Sequence, residues 1–212
     1  MQNAIPDPVG GEAGGVAARI AGRKLAQRGA DYAEEVRRLL EAGREEMARC
    51  GTSSRPRVAD IVAAAGLSND AFYRHFSSKD ALVAAILEDG TDRLRSYLGH
   101  QMAKEPTPER RIRRWVEGVL AQAADDDIAS ATLSVLWNGG SVAEGMVSAR
   151  PSASDPLATL LEEPLAELGS DHPELHASLL AHAVVGRLSD HLWQRTRPTP
   201  KDIDQITAFC LR

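Results

Sequence analysis

Aromatic side chains are nearly missing from this sequence: Phe, Trp and Tyr number three each, 4% of 212 residues. Runs of β-branched residues are equally scarce, and without them a sheet has little to pack on its pleated faces. Cysteine is limited to Cys50 and Cys210, far apart and outside any C-x-x-C spacing. That excludes a disulfide framework and reads as two reduced thiols in a cytoplasmic protein. No apolar stretch approaches the ~20 residues of a membrane span, and the glycine-rich start lacks an apolar secretory core. Neither membrane insertion nor export is therefore expected. P-loop, nucleophile-elbow and dinucleotide fingerprints are missing too, so no cofactor and no enzymatic role are expected. What remains is a 43% hydrophobic content dominated by alanine and leucine, which points to an all-α chain.

Positive charge is also in deficit, with a net charge of −5. The excess is uneven: residues 1–101 carry 14 Lys+Arg and 14 Asp+Glu, the remainder 11 and 16. The acidic surplus thus lies in the second half, and the first half is neutral. Local placement of charge, rather than overall pI, governs contact with phosphates.

The most informative stretch is Val58 to Lys79, VADIVAAAGLSNDAFYRHFSSK. Val58, Ile61, Val62 and Ala65 recur at i, i+3, i+4 and i+7, one face of a helix. Gly66 follows, where a left-handed turn residue costs least. Ser68 offers a hydroxyl to cap a second helix. In that helix Phe72 and Phe76 lie four apart and face inward beside Leu67, while Asn69, Asp70, Tyr73, Arg74 and His75 point elsewhere. An apolar support carrying a second helix with a hydrogen-bonding outer face is a helix-turn-helix, whose second helix enters the major groove.

Val58-x-x-Ile61-Val62-x-x-Ala65-Gly66-Leu67-Ser68, followed by Phe72-Tyr73-x-x-Phe76-x-Ser78-Lys79-Asp80-x-Leu82, resembles the signature of the tetracycline-repressor (TetR) family. Tyr73-x-x-Phe76-x-Ser78-Lys79 is the strongest part. The family usually has a glycine and a small hydroxyl residue where this chain has Asp70-Ala71, so base preference does not carry over. The resemblance implies a homodimer on an operator with two-fold pseudo-symmetry, released by a small ligand, and a backbone contact from Lys79. Asn69, Asp70, Arg74 and His75, with Ala71 on the same helix, are candidates for base or near-base contacts. Arg55, Arg57, Ser68, Tyr73 and Lys79 are candidates for holding phosphates on double-stranded DNA.

Around this stretch the chain divides into a disordered arm (1–30), the helix-turn-helix domain (31–80) and a ligand-binding and dimerisation domain (81–212). Glycines recur through the arm, and Arg19, Arg23, Lys24 and Arg28 make its second half basic. Two readings of it stand: a solvated tail, or an arm reaching into a minor groove. Asp31 and Glu34 resemble a capping box starting the first helix, which Gly51 ends. A helix from Ser78 to about Met102, interrupted by Gly90, joins reader to sensor. Further helices are expected over Pro108–Ala124, from Asp125-Asp126-Asp127 to a break at Asn138-Gly139-Gly140, over Pro156–Leu168 with Pro164 kinking or dividing it, over Asp171–Arg195, and after Thr199-Pro200. Residues 141–155 read as a mobile loop.

The helix over 171–195 is apolar on two sides, with Leu180, Val184, Leu188 and Leu192 on one and Leu175, Leu179, Ala183, Gly186 and Trp193 on the other. Both sides must then be buried. Leu179, Ala183, Gly186 and Trp193, with Phe209 of the last helix, are expected at a dimer interface. Trp115 and Trp137 are candidates for a pocket taking a mostly apolar inducer. His172 and His176 lie at i, i+4 but lack a third ligand, so no metal site is expected, and they read with His182 and His191 as surface or interface histidines. The expected function is a ligand-released, one-component transcriptional repressor. The alternatives are a helical DNA-binding adaptor without a pocket and an enzyme carrying a DNA-binding domain.

Overall fold

The computed structural model describes residues 12–145 and 154–211, and these form nine α-helices and one short 3-10 turn, with no strand among them. The helices are α1 (Glu12–Cys50), α2 (Val58–Ala65), α3 (Asn69–His75), α4 (Lys79–Met102), α5 (Pro108–Leu120), α6 (Asp126–Gly145), α7 (Asp155–Glu167), α8 (Pro173–Gln194) and α9 (Pro200–Cys210). The turn Ala121–Ala123 ends α5.

Two hydrophobic cores organise them. The first gathers Leu39 and Met47 of α1, Ile61 and Val62 of α2, Phe72 of α3 and Leu82, Val83 and Ile86 of α4. The second gathers Leu98 and Met102 of α4 with apolar residues of α5, α6, α7, α8 and α9. Ile112, Trp115, Val116, Val119 and Leu120 give α5 its fully buried stripe, at the spacing that one helix face requires. Helix α4 enters both cores, so the division expected at residue 80 falls at its first turn, inside the first core's territory.

Local signals account for several helix ends. Ser68, Ser78, Thr107 and Thr199 each accept a hydrogen bond from a backbone N–H in the first turn of the following helix. Thr199 and Asp202 complete a reciprocal capping box. Gly66 and Gly169 terminate α2 and α7 with φ of 61° and 87°, conformations open to glycine at no steric cost.

Several expectations are corrected. The arm is not disordered from residue 12 onward: α1 begins at Glu12 and runs unbroken for 39 residues. Asp31 lies in mid-helix and accepts from Gln27 Nε2 at 2.8 Å, so it caps nothing. Residues 1–11 lie outside the described residues. The break at Asn138-Gly139 does not occur either. Helix α6 passes through, and Leu87 of α4 packs against the bare Gly139, where an added Cβ would lie 2.6 Å from Leu87 Cδ1. Asn138 Nδ2 donates to Ser134 O of the same helix at 2.8 Å. Of the expected loop over 141–155, residues 141–145 continue α6, Asp155 starts α7, and 146–153 lie outside the described residues. Pro164 does not divide α7; it is buried in a helix continuous from Asp155 to Glu167.

The core makes two outcomes measurable. Trp115 is fully buried and its Nε1–H donates to Leu157 O at 3.0 Å. Trp115→Ala should cost about 3–5 kcal/mol in denaturant unfolding, through lost burial and the cavity left behind. Burial pushes the Cys210 thiol from 9.0 up to about 11. Its raised value favours the folded state below 9.0, and that contribution is lost as pH rises through about 11. Alkylation at pH near 8 should therefore label half-buried Cys50 well before Cys210, with unfolding by denaturant abolishing the difference.

Candidate nucleic-acid interface and adjoining groove

The helix-turn-helix is assembled from its apolar half outward. Phe72 is fully buried and Phe76 nearly so, with ring centroids 5.9 Å apart, and they seat α3 on α1, α2 and α4. Ala71 shares that buried face, which removes it from the candidates for DNA contact. Ser68 Oγ accepts from Ala71 N at 3.1 Å and fixes the start of α3. Asn69, Asp70, Tyr73 and Arg74 are all exposed on the outer face, as the apolar spacing requires. Lys79, at the first turn of α4, donates to Pro56 O at 3.4 Å and so ties the start of α4 to the loop before α2.

His75 is the main correction on α3. Its side chain is 0% exposed, with Nε2 2.6 Å from Glu35 Oε2. Its ring meets Tyr32 edge-on at 4.3 Å. The imidazole is a bolt between α3 and α1, out of reach of a base. The hydrogen bond from His75 and the nearby charge of Arg74, 3.7 Å away, hold the Glu35 carboxyl below its ordinary value of 4.5.

The two loop arginines are both engaged. Arg55 lies over the Trp137 ring, its Cζ 5.4 Å from the centroid. A guanidinium on an aromatic face is attracted by the ring quadrupole. Trp137 therefore meets the reader rather than lining a pocket. Arg57 occupies the N-cap position of α2 and pairs with Asp60 at 2.9 Å while remaining largely exposed.

Arg38 is a residue that the sequence reading passed over. Its Nη2 donates to the Ala65 carbonyl and, at 3.0 Å, to the Gly66 carbonyl. These carbonyls end α2 and have no partner within it. Arg38 thus closes the turn from α1, across 27 residues of sequence. Spacing within one helix cannot show such a partner.

Next to the reader, α4, α6 and α8 leave a groove of about 490 Å³. Ile86, Leu87, Leu94, Leu136, Val185 and Leu188 give it an apolar wall. Arg44 and Arg93 stand at its margin, each already paired on its own helix, with Glu41 and with Asp89 respectively. Gly90 of α4 faces it. Trp115 and Trp137 do not line it: the first belongs to the core, the second to the contact with Arg55. His191 is likewise no surface residue; it is buried with Nδ1 2.8 Å from Thr196 Oγ1.

On the far side of the bundle, Val184, Leu188 and Leu192 of α8 face the core, and the other apolar side is open. Leu179 is 60% exposed, Trp193 54% and Phe209 of α9 56%, with Leu175 beside them. Ala183 is exposed, and a Cβ built on Gly186 would meet nothing within 4 Å.

A short helix is presented outward on a three-helix support, which is mounted on a helical bundle through the shared helix α4. Residues 39–86 match the family of bacterial regulatory proteins described as the tetR family. A TetR-family transcriptional regulator from Pectobacterium atrosepticum has TM-score 0.60 at 19% identity, over 86% of this chain and 91% of that one. The fatty acid degradation regulator FadR from Bacillus halodurans has TM-score 0.57 at 15% identity, over 84% and 94%. The transcriptional regulator FadR from Bacillus subtilis, solved in complex with stearoyl-CoA, has TM-score 0.53 at 14% identity, over 82% and 94%. Compared with curated proteins, the chain matches none. The helix-turn-helix segment thus matches the TetR family model, and the chain has the fold of TetR-family transcriptional regulators.

The geometry separates residues that hold α3 in place from those exposed on its outer face. Arg38→Ala should leave two helix-end carbonyls without their charged donor and lower stability by about 1.5–3 kcal/mol in thermal or denaturant unfolding. His75→Ala should lower stability while leaving the preferred DNA sequence unchanged, as measured by binding to a panel of duplexes. Because the Glu35 value is lowered in the fold, its contribution is present above 4.5 and lost as pH falls below it. The acid limb of the stability profile should therefore be shallower in His75→Ala.

Proposed function

We propose that this chain is a ligand-released transcriptional repressor that binds a palindromic operator as a homodimer. The observation that carries the reading is the outer face of α3: Asn69, Asp70, Tyr73 and Arg74 are exposed together on a helix whose other face is locked in the core. Arg can pair with guanine, Asn with adenine, and Asp can accept from cytosine N4. Arg57, Ser68, Tyr73 and Lys79 serve the phosphates, and Arg55 does so from its seat on Trp137.

The open apolar side of α8 and the outer face of α9 support the dimer. Leu179 and Trp193, with Phe209, supply area to bury, and Ala183 and Gly186 allow close approach of the partner helix. Two reading helices one turn of duplex apart, roughly 34–36 Å, then match a two-fold site.

The groove between α4, α6 and α8 supports the sensor. Its wall suits a mostly apolar compound, and a regulator of the same fold is solved with stearoyl-CoA. Helix α4 carries Lys79 at one end and Gly90 and Leu94 along the groove. A ligand wedged there tilts α4 and takes the reading helices off their spacing. Release requires tighter binding to the DNA-free state, and reciprocity requires operator to weaken the ligand by the same factor.

Selection of bound sites from random duplexes, followed by a screen for compounds that release the protein, tests the whole reading. Gly186→Arg should give monomers by sedimentation that bind a palindromic site poorly. Calorimetry of a releasing compound should show weaker binding when operator is present, and equal affinity in both titrations would rule out the wedge.

A further inference from the structure

The first half of α1 has no structural partner. Residues 16–34 are exposed without interruption, and Val16, Ile20 and Leu25 stand in solvent. At 1.5 Å per residue this stretch projects roughly 30 Å from the fold. It leaves the body beside the end of α3, where Tyr32 meets His75.

Its charge is of one sign. Residues 13–30 hold Arg19, Arg23, Lys24 and Arg28 and no Asp or Glu. At 100° per residue the four cations fall in one half of the helix circumference. The other half, over residues 15–30, holds Ala, Gly and Leu25. None of the four has an ion-pair partner among the described residues. The reader itself is different: Arg57 is paired with Asp60, Arg74 lies near Glu35 and Arg55 is stacked on Trp137. The unpaired cations of this half of the protein are concentrated on the projecting helix.

The helix is also one that gains from a polyanion. Gly22 and Gly29 are poor helix formers, and neither makes room for a neighbour. Arg19 with Arg23 and Lys24 with Arg28 are like-charge pairs at i, i+4, which disfavour an isolated helix. Phosphates spaced along a duplex remove that repulsion and release counterions. A membrane surface fits less well, since a helix lying in lipid needs bulky apolar side chains opposite its charges and here has Leu25 alone.

We propose that residues 15–30 form a helical arm that lies along the DNA backbone beside the site read by α3, using Arg19, Arg23, Lys24 and Arg28. This rests on the reading of the chain as a DNA-binding regulator. The arm adds affinity and salt dependence without adding base specificity.

The test is salt-titrated binding of the full chain to a mixed-sequence duplex several turns long, by fluorescence anisotropy. A variant with Arg19→Ala, Arg23→Ala, Lys24→Ala and Arg28→Ala should lose about three to four units of log K against log salt slope per protomer. Its thermal unfolding should match the parent's, because none of the four side chains is packed. A variant with Arg19→Lys, Arg23→Lys and Arg28→Lys should keep the slope. A parent slope retained by the four-alanine variant overturns the arm, and if Lys79→Ala still lowers the slope in the same assay the regulator reading survives it. A parent that binds no duplex at all overturns both. Binding of the parent to anionic vesicles but not of the four-alanine variant, with an unchanged DNA slope, assigns the helix to lipid and overturns the proposal.

Discussion

Helix α4 is the constraint on which the rest of the molecule depends, because one rigid helix is packed into two cores. Its first turns bury Leu82, Val83 and Ile86 with the reading helices, and its last turns bury Leu98 and Met102 with the bundle. A helix anchored at both ends transmits a displacement at its middle to both. Its middle is also where the groove lies, with Gly90 and Leu94 on the wall. The fit of α5 on its far end is equally close: a Cβ on Gly118 would run into Leu98 Cδ2. Close packing of this kind favours two discrete arrangements over gradual deformation.

A second contact joins the halves. Leu87 fills the space that Gly139 leaves, Val135 packs on the first core, and Arg55 lies over Trp137. Helix α6 therefore contacts the helix-turn-helix unit directly, and α4 and α6 together hold that unit's orientation. The partly apolar groove opens between these same two helices and α8.

Polar groups divide into those that hold the reader and those left free to bind. Arg38 closes the turn, and His75 and Glu35 join α3 to α1. Both are charge-assisted or buried contacts, costly to remove because the partner group stays behind unsatisfied. What remains on the outside of α3 is polar and exposed, with Arg74 lying near Glu35.

The sequence by itself determined the all-α class, the helix-turn-helix from Val58 to Lys79, and the cap at Ser68. Those are local matters: apolar spacing, one hydroxyl and one glycine act within a few residues of each other. It also placed the buried stripe of α5 and the doubly apolar α8. It could not show that His75 turns inward, because the polar pattern of α3 is the same whether Glu35 lies beside it or not. It could not show that Trp137 faces Arg55, that Gly139 is filled by Leu87, or that Arg38 caps a helix 27 residues away. The long α1 was hidden too, since glycines lower helix propensity locally while the helix continues from a stretch anchored by Leu39 and Met47. Each of these was decided by side chains distant in sequence meeting in space, and periodicity within one helix carries no information about what lies across from it.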